Sequence, residues 1–381
     1  MSAKLNTNYN IHYFDSFNCE EWYRINTDVL ITLIDNYELA RWYFRPKNIY
    51  LVAVNQHPIN RLSQLKSART AKIPTEAFSA SDGIYQPILK IKNFNAVLCV
   101  GNKLVIESYK KYYKNIEIAT TYYATQFNQI KLIKSHNKQN KIFTVLVLMS
   151  SLGYRKGFDQ ICELIELIAK HKVQINFIII GHAENEYWKS KIYNLSKTYQ
   201  NVEYYGWMNN KSEEFKNLLL RSDLAVFPSR EEGMLGALIE CIEFGILSLH
   251  SENCGINISN ENLGINLNNT NDLYNKVLNL SLKSNDERYL MASQQLIRFK
   301  YQISGNDSIS TIVGNWLNNP SVPRSKYRFL KVSRDLIAQF TIEYWEIYAR
   351  RLKLLTIEKN KRKLYIRFPA VYNFLKKILH R

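Results

Sequence analysis

The sequence predicts an α/β protein of two lobes, each a parallel sheet flanked by helices. Three observations carry this. Strand-like and helix-like patterns alternate along the chain, as strand–helix–strand units require. The run Phe177-Ile-Ile-Ile-Gly181 is continuously apolar and closes on glycine, as a strand buried on both faces does. A chain of 381 residues, 46% of them hydrophobic, can build two cores.

In chain order, the first half offers strands at 49–54, 73–80 and 96–100, each followed by a helical pattern. The segment Gly101-Asn-Lys-Leu-Val-Ile-Glu follows the last of them. The polar stretch 134–141 has linker composition and marks the domain boundary. The first domain is therefore 1–135 and the second 142–325. Strands of the second are expected at 143–149, 174–181, 202–205, 223–227 and 246–249, with helices between. An aromatic-rich helical pattern over 326–358 is expected to close back on the first domain, and 359–381 is a basic tail. No internal repeat is present.

The most informative stretch runs from Phe227 to Glu240, Phe-Pro-Ser-Arg-Glu-Glu-Gly-Met-Leu-Gly-Ala-Leu-Ile-Glu. It reads as strand end, glycine-bearing turn and helix start, so Glu232 and Glu240 can face one ligand. Between them the amides of Gly233, Met234, Leu235 and Gly236 lie where a helix N-terminus offers unpaired donors. Open α/β sheets bind ligands at the carboxyl ends of their strands. Upstream, the strand Thr144-Val-Leu-Val-Leu-Met149 leads into Ser150-Ser-Leu-Gly-Tyr-Arg-Lys-Gly157 and a helical pattern from Phe158. Lys156 then stands at a helix entrance, where its charge and oriented amides suit a diphosphate.

These two motifs resemble the retaining glycosyltransferases of family 4, which have the GT-B architecture: two Rossmann-like domains facing a central cleft. The similarity is good over about residues 143–285 and extends to the first domain in outline. It implies that Glu240 binds the ribose hydroxyls of a nucleotide sugar and that Glu232, with the amides after it, holds the donor sugar. Lys156 becomes the diphosphate residue, which together with Glu232 carries the catalysis. The family usually has an arginine five positions before this lysine, where this chain has Ser151, and Arg155 is the candidate replacement. The family's first domain often supplies a histidine beside an aspartate. The counterparts here are His57 and Asp82, both equally at home as turn or cap residues. Trp22 and Arg24 are candidates for the acceptor cleft or for an amphipathic helix.

The resemblance implies transfer of a sugar from a UDP- or GDP-linked donor to a glycan, lipid-linked or protein acceptor, in surface polysaccharide or glycoconjugate assembly. It further implies retained configuration and no cofactor. No Asp-x-Asp signature stands in a suitable loop, so no metal site is expected. Other readings on the same fold are a sugar-nucleotide epimerase, a phosphorylase or a non-enzymatic basic scaffold.

The net charge of +18 is spread along the chain without a nucleic-acid-binding motif, so no nucleic-acid partner is expected. Its densest cluster is the tail, whose mixture of cations, leucines and aromatics suits either an anionic membrane surface or an ordinary exposed end. The five cysteines Cys19, Cys99, Cys162, Cys241 and Cys254 have neither disulfide density nor metal-ligand spacing. They read as reduced thiols, which with the lack of a signal-like or membrane-spanning run points to the cytoplasm, with peripheral membrane contact open.

Overall fold

The computed structural model describes residues 26–33, 44–57, 94–114, 116–121, 142–256, 263–267, 269–304, 307–318 and 326–327, with Asn60, Pro74, Ala77 and Ile258 between them. Asp82, Trp22, Arg24, the 134–141 linker and the 359–381 tail, with its expected membrane contact, lie outside the described residues.

The first lobe contains β1 (Val29–Leu33), β2 (Asn48–Ala53), β3 (Ala96–Val100), helix α1 (Lys103–Tyr112), the short β4 (Tyr113–Lys114) and β5 (Glu117–Thr121). Its sheet runs β1-β2-β3-β5, all parallel. The central β3 is buried throughout and alternates between two cores. Val97 and Cys99 meet Tyr109, Tyr112 and Tyr113, whereas Ala96 and Leu98 face the opposite side. Asn102 caps α1 by accepting from the Leu104 amide at 2.9 Å.

The second lobe follows as β6 (Phe143–Leu152), α2 (Phe158–Lys170), β7 (Ile175–Ala183), α3 (Glu186–Thr198), β8 (Val202–Tyr204), α4 (Glu213–Arg221), β9 (Leu224–Phe227), α5 (Gly236–Glu243), β10 (Leu247–His250), α6 (Thr270–Ser281) and α7 (Asn285–Ser304). The parallel sheet has the order β10-β9-β6-β7-β8. The apolar run of β7 divides as a doubly covered strand must: Phe177 and Ile179 enter one core with α2 and α3, while Ile178 and Ile180 enter the other with α4 and α5. Chain order reverses between β6 and β9, so their carboxyl ends form the switch-point crevice.

Two expectations shift. Strand β6 does not stop at residue 149 but continues through an irregularity between Leu148 and Ser151, after which Ser151 pairs with His182 and Leu152 with Ala183. Residues 73–80 do not show the expected strand where they are described: Ala77 sits against the second lobe, its carbonyl accepting from Trp188 Nε1 at 2.7 Å. Before 326–358, of which only 326–327 are described, a crossing back to the first lobe is already present. It is made by α8 (Ile309–Asn318), whose Ile312, Val313 and Trp316 pack on Tyr50, Ala96 and Leu98. Trp316 stacks on Tyr50 with centroids 4.9 Å apart, and its Nε1 donates to Glu117 Oε1 at 2.6 Å. Strand β11 (Lys326–Tyr327) then pairs antiparallel with β4, again in the first lobe.

Trp316 is the main weld of this crossing, so Trp316→Ala should destabilise the first lobe by about 3–5 kcal/mol. Trp316→Phe, which keeps most of the packing and drops the Glu117 bond, should cost about 1 kcal/mol. Urea unfolding followed by tyrosine fluorescence measures both; equal and negligible losses would contradict the assignment.

Candidate functional site

The site grows from the two strands that flank the switch point. Beyond β6 the chain makes a single 3-10 turn, Tyr154–Lys156, and enters α2 through Gly157. Gly157 has φ +74°, and a Cβ there would lie 2.0 Å from the Pro228 carbonyl oxygen, so glycine is required by conformation and by space. Beyond β9 the chain passes Pro228 and Ser229 to Arg230, whose amide donates to the Arg155 carbonyl at 2.9 Å. The Arg230 guanidinium grips Asp159 through two bonds of 2.6 and 2.7 Å, donates to the Tyr154 carbonyl at 2.6 Å, and lies over the Tyr154 ring. This brace holds the two strand ends at one spacing. It presents Arg155 and Lys156 to Glu231 and Glu232.

The four charges form one cluster. Lys156 Nζ makes a close ion pair with Glu232 Oε1, and Arg155 Nη1 donates to the same oxygen at 3.0 Å. Arg155 also donates to the Glu231 carbonyl at 3.1 Å and stands 3.8 Å from the Glu231 carboxylate. Lys156, Glu231 and Glu232 are buried, and Arg155 is the most open of the set, its side chain 17% exposed. Burial lowers the Lys156 pKa; the Glu232 charge opposes that and the Arg155 charge adds to it. The cluster sits against the first lobe: the Gln56 amide donates to Glu231 Oε1 at 3.3 Å. A Cβ on Gly233 would lie 1.6 Å from the Val54 carbonyl oxygen, so only glycine permits this approach of the lobes.

The structure thus brings Lys156, Arg155, Glu232 and Gly233 together. Glu240 is on α5, half-buried, its Oε1 accepting from Asn210 Nδ2 at 2.7 Å. The expected row of amide donors is shorter than the sequence suggests. Helix α5 begins only at Gly236, and the Leu235 amide donates to the Cys254 carbonyl at 3.2 Å. Met234 and Leu235 direct their side chains into the core. His57 packs among first-lobe core residues. It is fully buried, its ring stacked on Tyr112 at 4.3 Å between Tyr109 and Tyr113, with Nε2 3.3 Å from the Tyr113 hydroxyl. That is a packing position.

Sequence reasoning passed over Glu231, Gln56 and the Arg230–Asp159 brace. The only available signal was that Arg230 and Glu231 stand in the same strand-end motif as Glu232. Among the described residues, no group of His, Cys, Asp and Glu side chains could hold a metal ion, and no helix is long and apolar enough to cross a membrane. Cys99, Cys162, Cys241 and Cys254 are free and buried.

Comparison with known proteins places this geometry in a class. Residues 128–286 match the family described as glycosyl transferases group 1. That segment, which includes the whole charge cluster, is a glycosyl transferases group 1 domain, and the fold is GT-B. No curated protein sequence matches the chain significantly. Similar solved structures include a mutant of S. aureus TarM in complex with fondaparinux, alpha-GlcNAc-glycerol and UDP (18% identity, TM-score 0.50, covering 76% of this chain and 54% of that one). Sucrose-phosphate synthase from Thermosynechococcus elongatus is also similar (14% identity, TM-score 0.52, 75% and 77% covered). So is an E. coli structure described as trehalose-6-phosphate bound with UDP-2-fluoro glucose (11% identity, TM-score 0.54, 79% and 74% covered). The chain spans about half the length of TarM.

The buried His57 sets a pH dependence. Burial, with a smaller push from Lys111, takes its pKa down from 6.5 to about 3. The unfolded chain therefore binds a proton below about pH 6.5 that the folded protein refuses, and stability is lost as pH falls from there towards 3. His57→Phe should flatten the fall in urea stability between pH 7 and 4, leaving the part due to His250, whose pKa burial also lowers. An unchanged slope would contradict the assignment.

Proposed function

We propose that the protein is a retaining glycosyltransferase that moves a sugar from a UDP- or GDP-linked donor to an acceptor hydroxyl. The acceptor is a glycan, lipid-linked or protein component of a surface polysaccharide or glycoconjugate. One observation carries the proposal: Lys156 and Arg155 converge on Glu232 at the switch-point crevice of a glycosyl transferases group 1 domain. The UDP and UDP-2-fluoro glucose bound in similar structures support a nucleotide-sugar donor.

As the glycosidic bond to the diphosphate breaks, negative charge grows on the leaving group and the sugar becomes oxocarbenium-like. Two fixed cations in a nearly dry site stabilise that charge more strongly than they would in water. Arg155 takes the place of the arginine that Ser151 does not supply; Ser151 lies within β6, paired with His182. Glu240, reachable from solvent on α5, binds the ribose hydroxyls, and Glu232 binds the donor sugar. The proposed chemistry uses neither a metal nor a bound cofactor.

Release of nucleoside diphosphate from UDP- and GDP-sugars, with and without acceptor extracts, tests the reading. A transferase releases it only with acceptor, an epimerase alters the sugar without one, and a scaffold does neither. Glu240→Ala should weaken free nucleoside diphosphate binding by about 1.5–3 kcal/mol, the worth of a charged hydrogen-bond partner. Lys156→Ala and Arg155→Ala should both lower turnover more than donor affinity, since their charges matter most as the leaving group departs. Near-normal turnover of Lys156→Ala would contradict the diphosphate role.

A further inference from the structure

The diphosphate seat already contains an anion that belongs to the protein. Lys156 is paired with Glu232 and Arg155 is shared between Glu232 and the Glu231 segment, so two cations face two buried carboxylates and the cluster is electrically balanced. A diphosphate cannot be added to such a cluster without bringing its charges against a carboxylate in a medium of low polarity. One carboxylate has to leave. Glu231 is held: it is fully buried, and the Gln56 amide of the first lobe donates to it at 3.3 Å. Glu232 lies beside Arg155, the most open side chain of the cluster, and is itself 8% exposed where Glu231 is sealed, so it is the carboxylate that can move.

We infer that Glu232 is a built-in occupant of the diphosphate seat. Its carboxylate neutralises Lys156 and Arg155 until a nucleoside diphosphate displaces it, and the same displacement delivers it to the donor sugar. Glu231 stays in place as the fixed counter-charge of Arg155 and the tie to the first lobe. The inference deepens, and for its nucleotide part rests on, the glycosyltransferase reading. It differs from a simple sugar contact in the sign of one effect: a residue that only binds sugar leaves the affinity for free diphosphate unchanged, whereas an occupant lowers it.

Calorimetric titration of the full chain with UDP, GDP and inorganic pyrophosphate decides this. Glu232→Gln, which keeps the shape and removes the charge, should bind nucleoside diphosphate and pyrophosphate about tenfold more tightly than the parent, a gain of one factor of ten in Kd. Glu232→Asp, which withdraws the charge by one methylene, should tighten binding by less. It serves as the deciding variant if Glu232→Gln does not fold. Equal or weaker diphosphate binding in the variant would overturn the inference. If pyrophosphate binding tightens while neither UDP nor GDP binds any form, the seat stands and the nucleotide reading falls. If no form binds any of the three probes, both fall.

Discussion

The buried ion pair between Lys156 and Glu232 is the constraint on which the rest of the site depends. Charges so far from water persist only when paired, and removing one member of a buried pair typically costs about 3–5 kcal/mol because the other is left uncompensated. The pairing therefore dictates that the ends of β6 and β9 stay within side-chain reach. The surrounding structure serves that spacing. Gly157 lets the Lys156 turn lie against Pro228, and Arg230 bolts the β9 end to Asp159 and Tyr154. These contacts support the charge cluster without belonging to it.

The same cluster ties the lobes. Glu231 receives the Gln56 amide, Gly233 meets Val54, Trp188 holds Ala77, and α8 returns to stack Trp316 on Tyr50. Backbone groups of the first half thus reach the strand ends that carry the cations. A change in how the lobes sit would be felt at Arg155 through Glu231, which links the geometry of the cleft to the electrostatics of the seat.

Much of this was legible in the sequence where one physical signal dominated. The strand at 96–100 and the apolar run of β7 stand out because both their faces are buried. The strand–turn–helix motifs locate Lys156 and Glu232 just beyond strand ends because glycine and proline mark the turns. What failed to show lay in tertiary context. Strand β6 outlasts its apolar run because pairing with β7 resumes after an irregularity, which hydrophobic pattern does not encode. Strands β1 and β5 are only partly buried and carry no strong periodic signal. Residues 309–318 read as part of the second domain because chain order does not reveal which sheet a helix covers. His57 precedes a proline and looks like a turn residue; the three tyrosines that enclose it come from more than fifty positions away. Glu231 and Glu232 are neighbours of identical type, and only the fold separates the one that meets the first lobe from the one that meets Lys156.

The most direct test is a diffraction structure of the protein with a nucleoside diphosphate bound. The account predicts diphosphate oxygens within hydrogen-bond distance of Lys156 Nζ and the Arg155 guanidinium, ribose hydroxyls at Glu240, and the Glu232 carboxylate moved off Lys156. A nucleotide bound elsewhere, with the Lys156–Glu232 pair intact, would contradict it.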